Sequence, residues 1–188
     1  MNYIRAGVDD KPIVKRGSYR YFSCEIADQV PLITSEMLWE ATHELLKLLQ
    51  TRDFDKIVTA EAQGVPFATA ISMMTGKPLC IARKNNRRFD KSEVEIPFEC
   101  GYESGKLFLY GVGKGDRVVI IDDTISTGGT VVALWRGMKG IGATVVDVLT
   151  VVEKPEYKGC DIIEKKTGVR PKAVVRVSVK GKRTKVID

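Results

Sequence analysis

The stretch Arg117-Val118-Val119-Ile120-Ile121-Asp122-Asp123-Thr124-Ile125-Ser126-Thr127-Gly128-Gly129-Thr130 joins an apolar β-branched run, two adjacent carboxylates and a turn rich in hydroxyls and glycine. Residues 118–121 are apolar at every position, the composition of a strand covered on both faces of a parallel sheet, where ligand crevices open at the carboxyl ends of strands. Asp122 and Asp123 are therefore expected at that end. Thr124, Ser126, Thr127, Gly128, Gly129 and Thr130 offer hydroxyls and backbone N–H groups that can converge on an anion at the start of a helix predicted over 131–139. Two carboxylates beside such a cup would repel the same phosphate, so they suit ribose hydroxyls or a magnesium ion, which takes oxygen ligands. Each fragment alone has a bland reading, a solvated Asp-Asp turn or a plain Gly-Gly helix start. Strand, acidic pair and cup together form a site for a sugar phosphate.

Outward from this stretch, strands and helices alternate. Thr34 precedes Met37, Leu38, Ala41, Leu45, Leu48 and Leu49 at helical spacing, which predicts a capped amphipathic helix. Lys56-Ile57-Val58-Thr59-Ala60 reads as a buried strand, 65–74 as a helix ending at Gly76, and Pro78-Leu79-Cys80-Ile81-Ala82 as the next strand. A second βαβ unit runs through 118–121, the helix at 131–139 and a strand over 144–152, and 173–179 predicts one more strand. The fold class expected is α/β, with a central, mostly parallel sheet flanked by helices. Between Arg83 and Leu109 that character is lost, and a connection of this length is functional or disordered.

A chain of 188 residues that is 44% hydrophobic is long enough for one compact α/β domain and short for two, so 1–188 is read as a single domain with an N-terminal appendage, 1–30. No window is apolar enough to cross a bilayer and the start lacks a signal-peptide core, which sets the expectation of a cytoplasmic protein without a membrane partner. The four cysteines form no C-x-x-C pair, and His43, the only histidine, lies in a helical pattern as a structural or surface residue, which argues against zinc and against a disulfide framework. The net charge of +6 is dispersed, so a small polyanionic substrate is expected rather than nucleic acid, and the basic tail over 180–185 is expected to be solvated.

The sequence from Val118 to Thr130 is similar to the signature of type I phosphoribosyltransferases, which bind 5-phosphoribosyl-1-pyrophosphate. Three further elements resemble the family's. Thr59-Ala60-Glu61-Ala62-Gln63-Gly64 looks like the pyrophosphate loop, which implies backbone N–H groups cradling the leaving group, a cis peptide between Glu61 and Ala62, and Gly64 as a point of close backbone approach. Gln63 stands where adenine-specific relatives usually have Arg, so one cationic contact is lost. Arg83-Lys84 resembles the basic pair that reaches pyrophosphate, and 83–109 matches a flexible hood loop that closes over the reacting centre; the alternative is a hairpin used only for dimer contact. Phe98-Glu99-Cys100-Gly101 resembles the hood's Leu-Glu-Tyr-Gly element, which implies Glu99 managing the purine proton, or else a solvent-facing hood residue.

The resemblance also bears on the base. In Val151-Val152-Glu153-Lys154 a lysine stands where oxopurine-using relatives donate to the 6-oxo group, beside an aromatic or apolar side chain from the C-terminal region. Ser126 stands where animal hypoxanthine/guanine enzymes have an aspartate, so cup and hood lean toward the adenine type while Lys154 leans toward a 6-oxopurine. The whole chain most resembles the xanthine and archaeal hypoxanthine/guanine branches. What this implies is transfer of phosphoribose to hypoxanthine or guanine, Mg2+ held indirectly through Asp122 and Asp123, and a homodimer. An adenine enzyme is one alternative. A non-catalytic sensor of the sugar pyrophosphate that controls transcription is another, although residues 1–30 are too short for a winged helix.

Overall fold

The computed structural model describes residues 2–51, 53–85, 93–101 and 104–187. Its elements in chain order are α1 (Asn2–Val8), β1 (Ile13–Arg16), β2 (Tyr19–Phe22), α2 (Ser35–Leu48), β3 (Lys56–Ala60), α3 (Val65–Thr75), β4 (Leu79–Ala82), β5 (Val94–Glu99), β6 (Ser104–Leu109), β7 (Arg117–Ile125), α4 (Gly129–Gly140), β8 (Thr144–Glu153), a 3-10 turn (Pro155–Tyr157), α5 (Gly159–Thr167), β9 (Lys172–Ser178) and β10 (Lys185–Val186). Six strands form one sheet in the order β10-β9-β8-β7-β3-β4, parallel except for β10, which pairs antiparallel with β9. β1–β2 and β5–β6 are separate antiparallel hairpins.

Strand alternation sorts the apolar runs onto two faces. Ile57, Val119, Ile121 and Leu149 pack with α1, α2 and α3, while Val58, Val118, Ile120 and Val148 pack with α4, α5 and the β5–β6 hairpin. Both faces are covered, which is why these strands read as continuous apolar runs. On α2 the buried side chains Met37, Ala41 and Leu45 recur every four residues, and Thr34 caps the helix by accepting the Met37 N–H at 3.2 Å. Thr34→Ala should therefore destabilise the protein by about 1 kcal/mol in chemical denaturation, with Ser restoring most of it.

The chain winds outward from β3 to β4, then returns and winds the other way through β7, β8 and β9. The switch lies between β3 and β7, so a crevice opens there beyond the carboxyl ends of the strands. β7 runs further than its apolar core: Asp122 pairs with Thr150 and Thr124 with Val152 on β8, whereas β3 last pairs with β7 at Val58 and Ile120. The acidic pair is thus held inside the ladder on one side and opens to the crevice on the other. The strand read from the apolar run 118–121 therefore continues through the pair to Ile125.

Three further expectations change. Residues 2–30 are no mere appendage, because Ile4, Val8, Phe22, Cys24 and Ile26 belong to the α2–α3 core cluster. The basic tail is not simply solvated: Lys182 accepts the Ile13 N–H at 2.9 Å, and buried Thr184 donates to Val8 and accepts the Lys11 N–H. α5 went unread because its nine residues bury only Gly159, Cys160 and Ile163, too few to show a period. Of the expected hood loop 83–109, residues 86–92 and 102–103 lie outside the described residues. The rest includes the β5–β6 hairpin, whose Ile96, Phe98, Leu107 and Leu109 are buried in the α4 cluster. His43 is exposed on α2 beside Trp39, as read from the sequence. All four cysteines are free. No helix among the described residues is long and apolar enough to cross a membrane.

Candidate active site

The crevice between β3 and β7 holds a cleft of about 260 Å³. Its floor is Asp122, Asp123 and Thr124, with Ser126 and Thr130 on the cup side. The β3 loop contributes Ala60, Glu61, Ala62 and Gln63, and Lys84 stands beside them, its N–H donating to the Glu61 carboxylate at 3.1 Å. The peptide between Glu61 and Ala62 is cis, as the resemblance implied. The remaining wall comes from Lys154 at the end of β8, from Tyr19, Tyr21, Ala27 and Asp28 of the N-terminal segment, and from Phe98, Cys100 and Leu107 of the β5–β6 hairpin.

The cup is a continuous concavity lined by Thr124, Ile125, Ser126, Thr127, Gly128, Gly129 and Thr130, opening onto the cleft. Gly128 caps α4 with φ 76°, a left-handed conformation that glycine adopts without strain. Gly129 is required by close approach: a Cβ there would overlap the Glu99 carbonyl oxygen and lie 3.1 Å from Cys100 Cα. The hairpin thus rests on the cup. Gly129→Ala should push it away and lower stability by about 1–3 kcal/mol in denaturant titrations. Gly140→Ala on the same helix, where no atom lies within 4 Å of the added methyl, is the neutral control.

Three residues expected in the site stand elsewhere. Gly64 does not line the cleft. It caps α3, where a Cβ would collide with Thr59 Oγ1 and come within 3.2 Å of the Ile121 carbonyl, so its close approach is to β3 and β7. Arg83 is exposed in an antiparallel bridge with Phe108, at 2.9 and 2.7 Å, and consecutive residues in extended backbone point oppositely, so Lys84 reaches the cleft and Arg83 does not. The same alternation sends Phe98 and Cys100 into the cleft and Glu99 to a neighbouring one behind the cup, with Arg136 and Lys166. The proton-handling role expected of Glu99 is not supported by this placement.

The electrostatics of the cleft are unusual. Burial pushes the Asp122 carboxyl up to about 6, and burial together with the charge of Asp122 holds Asp123 well above the usual carboxylate range. Hydroxyl donors or a cation arriving with a substrate would favour the ionised forms. Opposite them Lys154 is only 3% exposed, and burial brings its ammonium down to about 8. Its Nζ donates to the Tyr19 hydroxyl at 3.2 Å and lies 4.6 Å from the Phe22 ring centre, 5.1 Å from Tyr19 and 5.5 Å from Tyr21. The aromatic neighbours therefore come from β2, not from the C-terminal region; Tyr157 reaches them only by stacking on Tyr19 at 4.9 Å. Tyr19 also hydrogen-bonds Ser126, linking the Lys154 wall and the cup. The run Tyr19-Arg20-Tyr21-Phe22, three aromatics in four residues, was the signal in the sequence for this wall.

Among the described residues no group of three or more His, Cys, Asp or Glu is placed to hold a metal. Two adjacent carboxylates fit a magnesium ion that keeps its waters and is held chiefly by substrate oxygens.

The phosphoribosyl transferase domain model matches residues 33–181. The chain belongs to that family. The hypoxanthine/guanine phosphoribosyltransferase of Methanococcus vannielii is 44% identical over 177 residues, 94% of each chain. That of Methanothermococcus okinawensis is 42% identical over 179 residues, 95% of this chain and 96% of the relative. Among solved structures, the adenine phosphoribosyltransferase of Thermoanaerobacter pseudethanolicus superposes with a TM-score of 0.77 at 22% identity, covering 93% of this chain and 98% of that one. The Giardia lamblia enzyme complexed with 9-deazaadenine gives 0.76 at 17% identity, over 92% and 95%. At such identities these two likenesses speak for the phosphoribosyltransferase fold alone.

Proposed function

We propose that this protein is a purine salvage enzyme that transfers the 5-phosphoribosyl group from 5-phosphoribosyl-1-pyrophosphate to hypoxanthine or guanine, giving IMP or GMP and pyrophosphate. The observation that carries the reading is Lys154, a buried ammonium in the wall of the cleft that holds Asp122 and Asp123. A lysine has three donors and no acceptor, so it pairs with a 6-oxo group and not with a 6-amino group. The archaeal relatives named for hypoxanthine and guanine support the same choice.

In this reading the cup residues Thr124, Ser126, Thr127, Gly128, Gly129 and Thr130 take the 5′-phosphate through N–H and hydroxyl groups. Glu61, Ala62 and Gln63, with Lys84, border the pyrophosphate, and Arg83 acts only by fixing Lys84 in place. Asp122 and Asp123 hold the ribose hydroxyls. As the bond from C1′ to the pyrophosphate oxygen breaks and the bond to the purine N9 forms, positive charge develops on the ribose, and the two carboxylates are already in place to stabilise it. A magnesium ion, held indirectly by Asp122 and Asp123 through ribose or water, supplies neutralisation of the leaving group when bound. The reading places the enzyme in the cytoplasm and, from the family resemblance, as a homodimer.

The experiment is pyrophosphate release from the sugar donor with and without each base. Release that requires hypoxanthine or guanine supports the enzyme. Donor binding with no release for any purine would leave the sensor reading in its place.

A further inference from the structure

Asp28 lines the same cleft as Lys154 and carries the opposite charge. It sits on the turn after β2, and its carboxylate is gripped from two sides. Oδ2 accepts the Cys24 N–H at 3.1 Å, and Oδ1 accepts the Tyr21 hydroxyl. The Asp28 N–H returns to the Cys24 carbonyl at 2.9 Å, and Cys24 and Ile26 anchor the turn in the core. A carboxylate held this way is preorganised, and each of its oxygens has a second lone pair to offer. Its charge acts on the Lys154 ammonium across the cleft.

We propose, resting on the oxopurine reading above, that Asp28 is a specificity-determining residue that accepts from the purine N1–H and, in guanine, from the 2-amino group, while Lys154 donates to O6. One donor and one acceptor at adjacent edge positions sort the four common purines into three classes. Guanine satisfies both groups at O6, N1–H and the 2-amino group. Hypoxanthine satisfies them at O6 and N1–H. Xanthine presents its 2-oxo group to a carboxylate, and like polarity there is repulsive. Adenine is mismatched twice, with its 6-amino group against the ammonium and its N1 lone pair against the carboxylate. Buried polar groups left facing such mismatches are what give a site large discrimination. The order follows as guanine and hypoxanthine, then xanthine, then adenine.

The test is Asp28→Asn, which keeps an oxygen for the Cys24 N–H and a polar partner for the Tyr21 hydroxyl. The readouts are kcat/KM for guanine, hypoxanthine and xanthine at saturating donor, the KM for the donor, and the affinities of GMP and XMP by calorimetry. The expected result is a guanine-to-xanthine preference that falls about 10- to 100-fold, chiefly through the KM for the base, with the donor KM unchanged. A purely structural Asp28 would move stability and donor KM together and leave the ratio alone, and that result overturns the proposal. If the variant does not fold, the wild-type nucleotides decide: GMP bound more than about tenfold tighter than XMP supports the proposal, and equal affinity overturns it. Wild-type protein that uses no oxopurine removes the underlying reading and this proposal with it. Oxopurine turnover with an unchanged ratio in the variant removes the role of Asp28 alone.

Discussion

Replacing Asp122 and Asp123 together by Asn is expected to lower kcat by about a thousandfold while leaving folding stability at pH 7 no lower than in the parent. The first half follows from where charge appears: the ribose becomes cationic only near the transition state, so two carboxylates placed beside it act on kcat more than on ground-state binding. The second half follows from the sign of the pKa shifts. Both groups titrate above their unfolded values in the folded chain. Between the unfolded value near 4 and the folded value of about 6 for Asp122, the folded state binds the extra proton, so stability falls as pH rises and the buried Asp122 carboxylate is a burden at pH 7; the upward shift of Asp123 acts in the same direction. Asn removes that burden with almost no change in volume. Single-turnover kinetics and thermal denaturation of the same preparation check both halves, and turnover within tenfold of the parent would refute the role of the pair.

Lys154→Met should reduce kcat/KM for hypoxanthine and guanine by about 100-fold, with the donor KM unchanged and the folded state stabilised. The ammonium is buried among three aromatic rings and is brought down to about 8 by desolvation. Sign by sign, the unfolded lysine titrates near 10.4, so between pH 8 and that value the unfolded state holds more protons and stability climbs with pH. Below pH 8 both states are protonated and the full penalty applies. Methionine fills similar space without a charge, so the variant should lose the alkaline rise and be more stable at neutral pH. Oxopurine kcat/KM, which reports the free enzyme, should decline as pH passes about 8 in the parent, because the donor loses its charge. A residue that weakens the fold and is kept in the cleft is held there for function.

Much of the framework was legible because it depends on short-range patterning. The run 118–121 and the strand 56–60 are apolar on successive residues because they are covered on both faces, and Thr34 and Gly76 mark helix ends through local backbone chemistry. The cup and Lys154 were legible because each follows a strand directly. What failed depends on alternation and on long-range contact. Arg83 and Glu99 carry the right chemistry, but the direction of a side chain on a short extended segment is set by its pairing partner, Phe108 for the one and Ser104 for the other. Tyr19, Tyr21 and Asp28 lie more than a hundred residues from Lys154, and no local period announces that β2 closes over the Lys154 side of the cleft. Asp147 shows the same limit: a carboxylate in the middle of β8, 4% exposed, is tolerated because Lys172 of β9 reaches Oδ2 at 2.7 Å while Oδ1 accepts the Val148 N–H at 2.9 Å.

The most direct test is a competition in which the protein receives limiting 5-phosphoribosyl-1-pyrophosphate, magnesium and equal concentrations of hypoxanthine, guanine and adenine, and the nucleotides formed are separated and quantified. The donor at the 6-position predicts that IMP and GMP together exceed AMP by at least about tenfold. AMP as the main product would contradict the assignment of Lys154 as the base-reading residue.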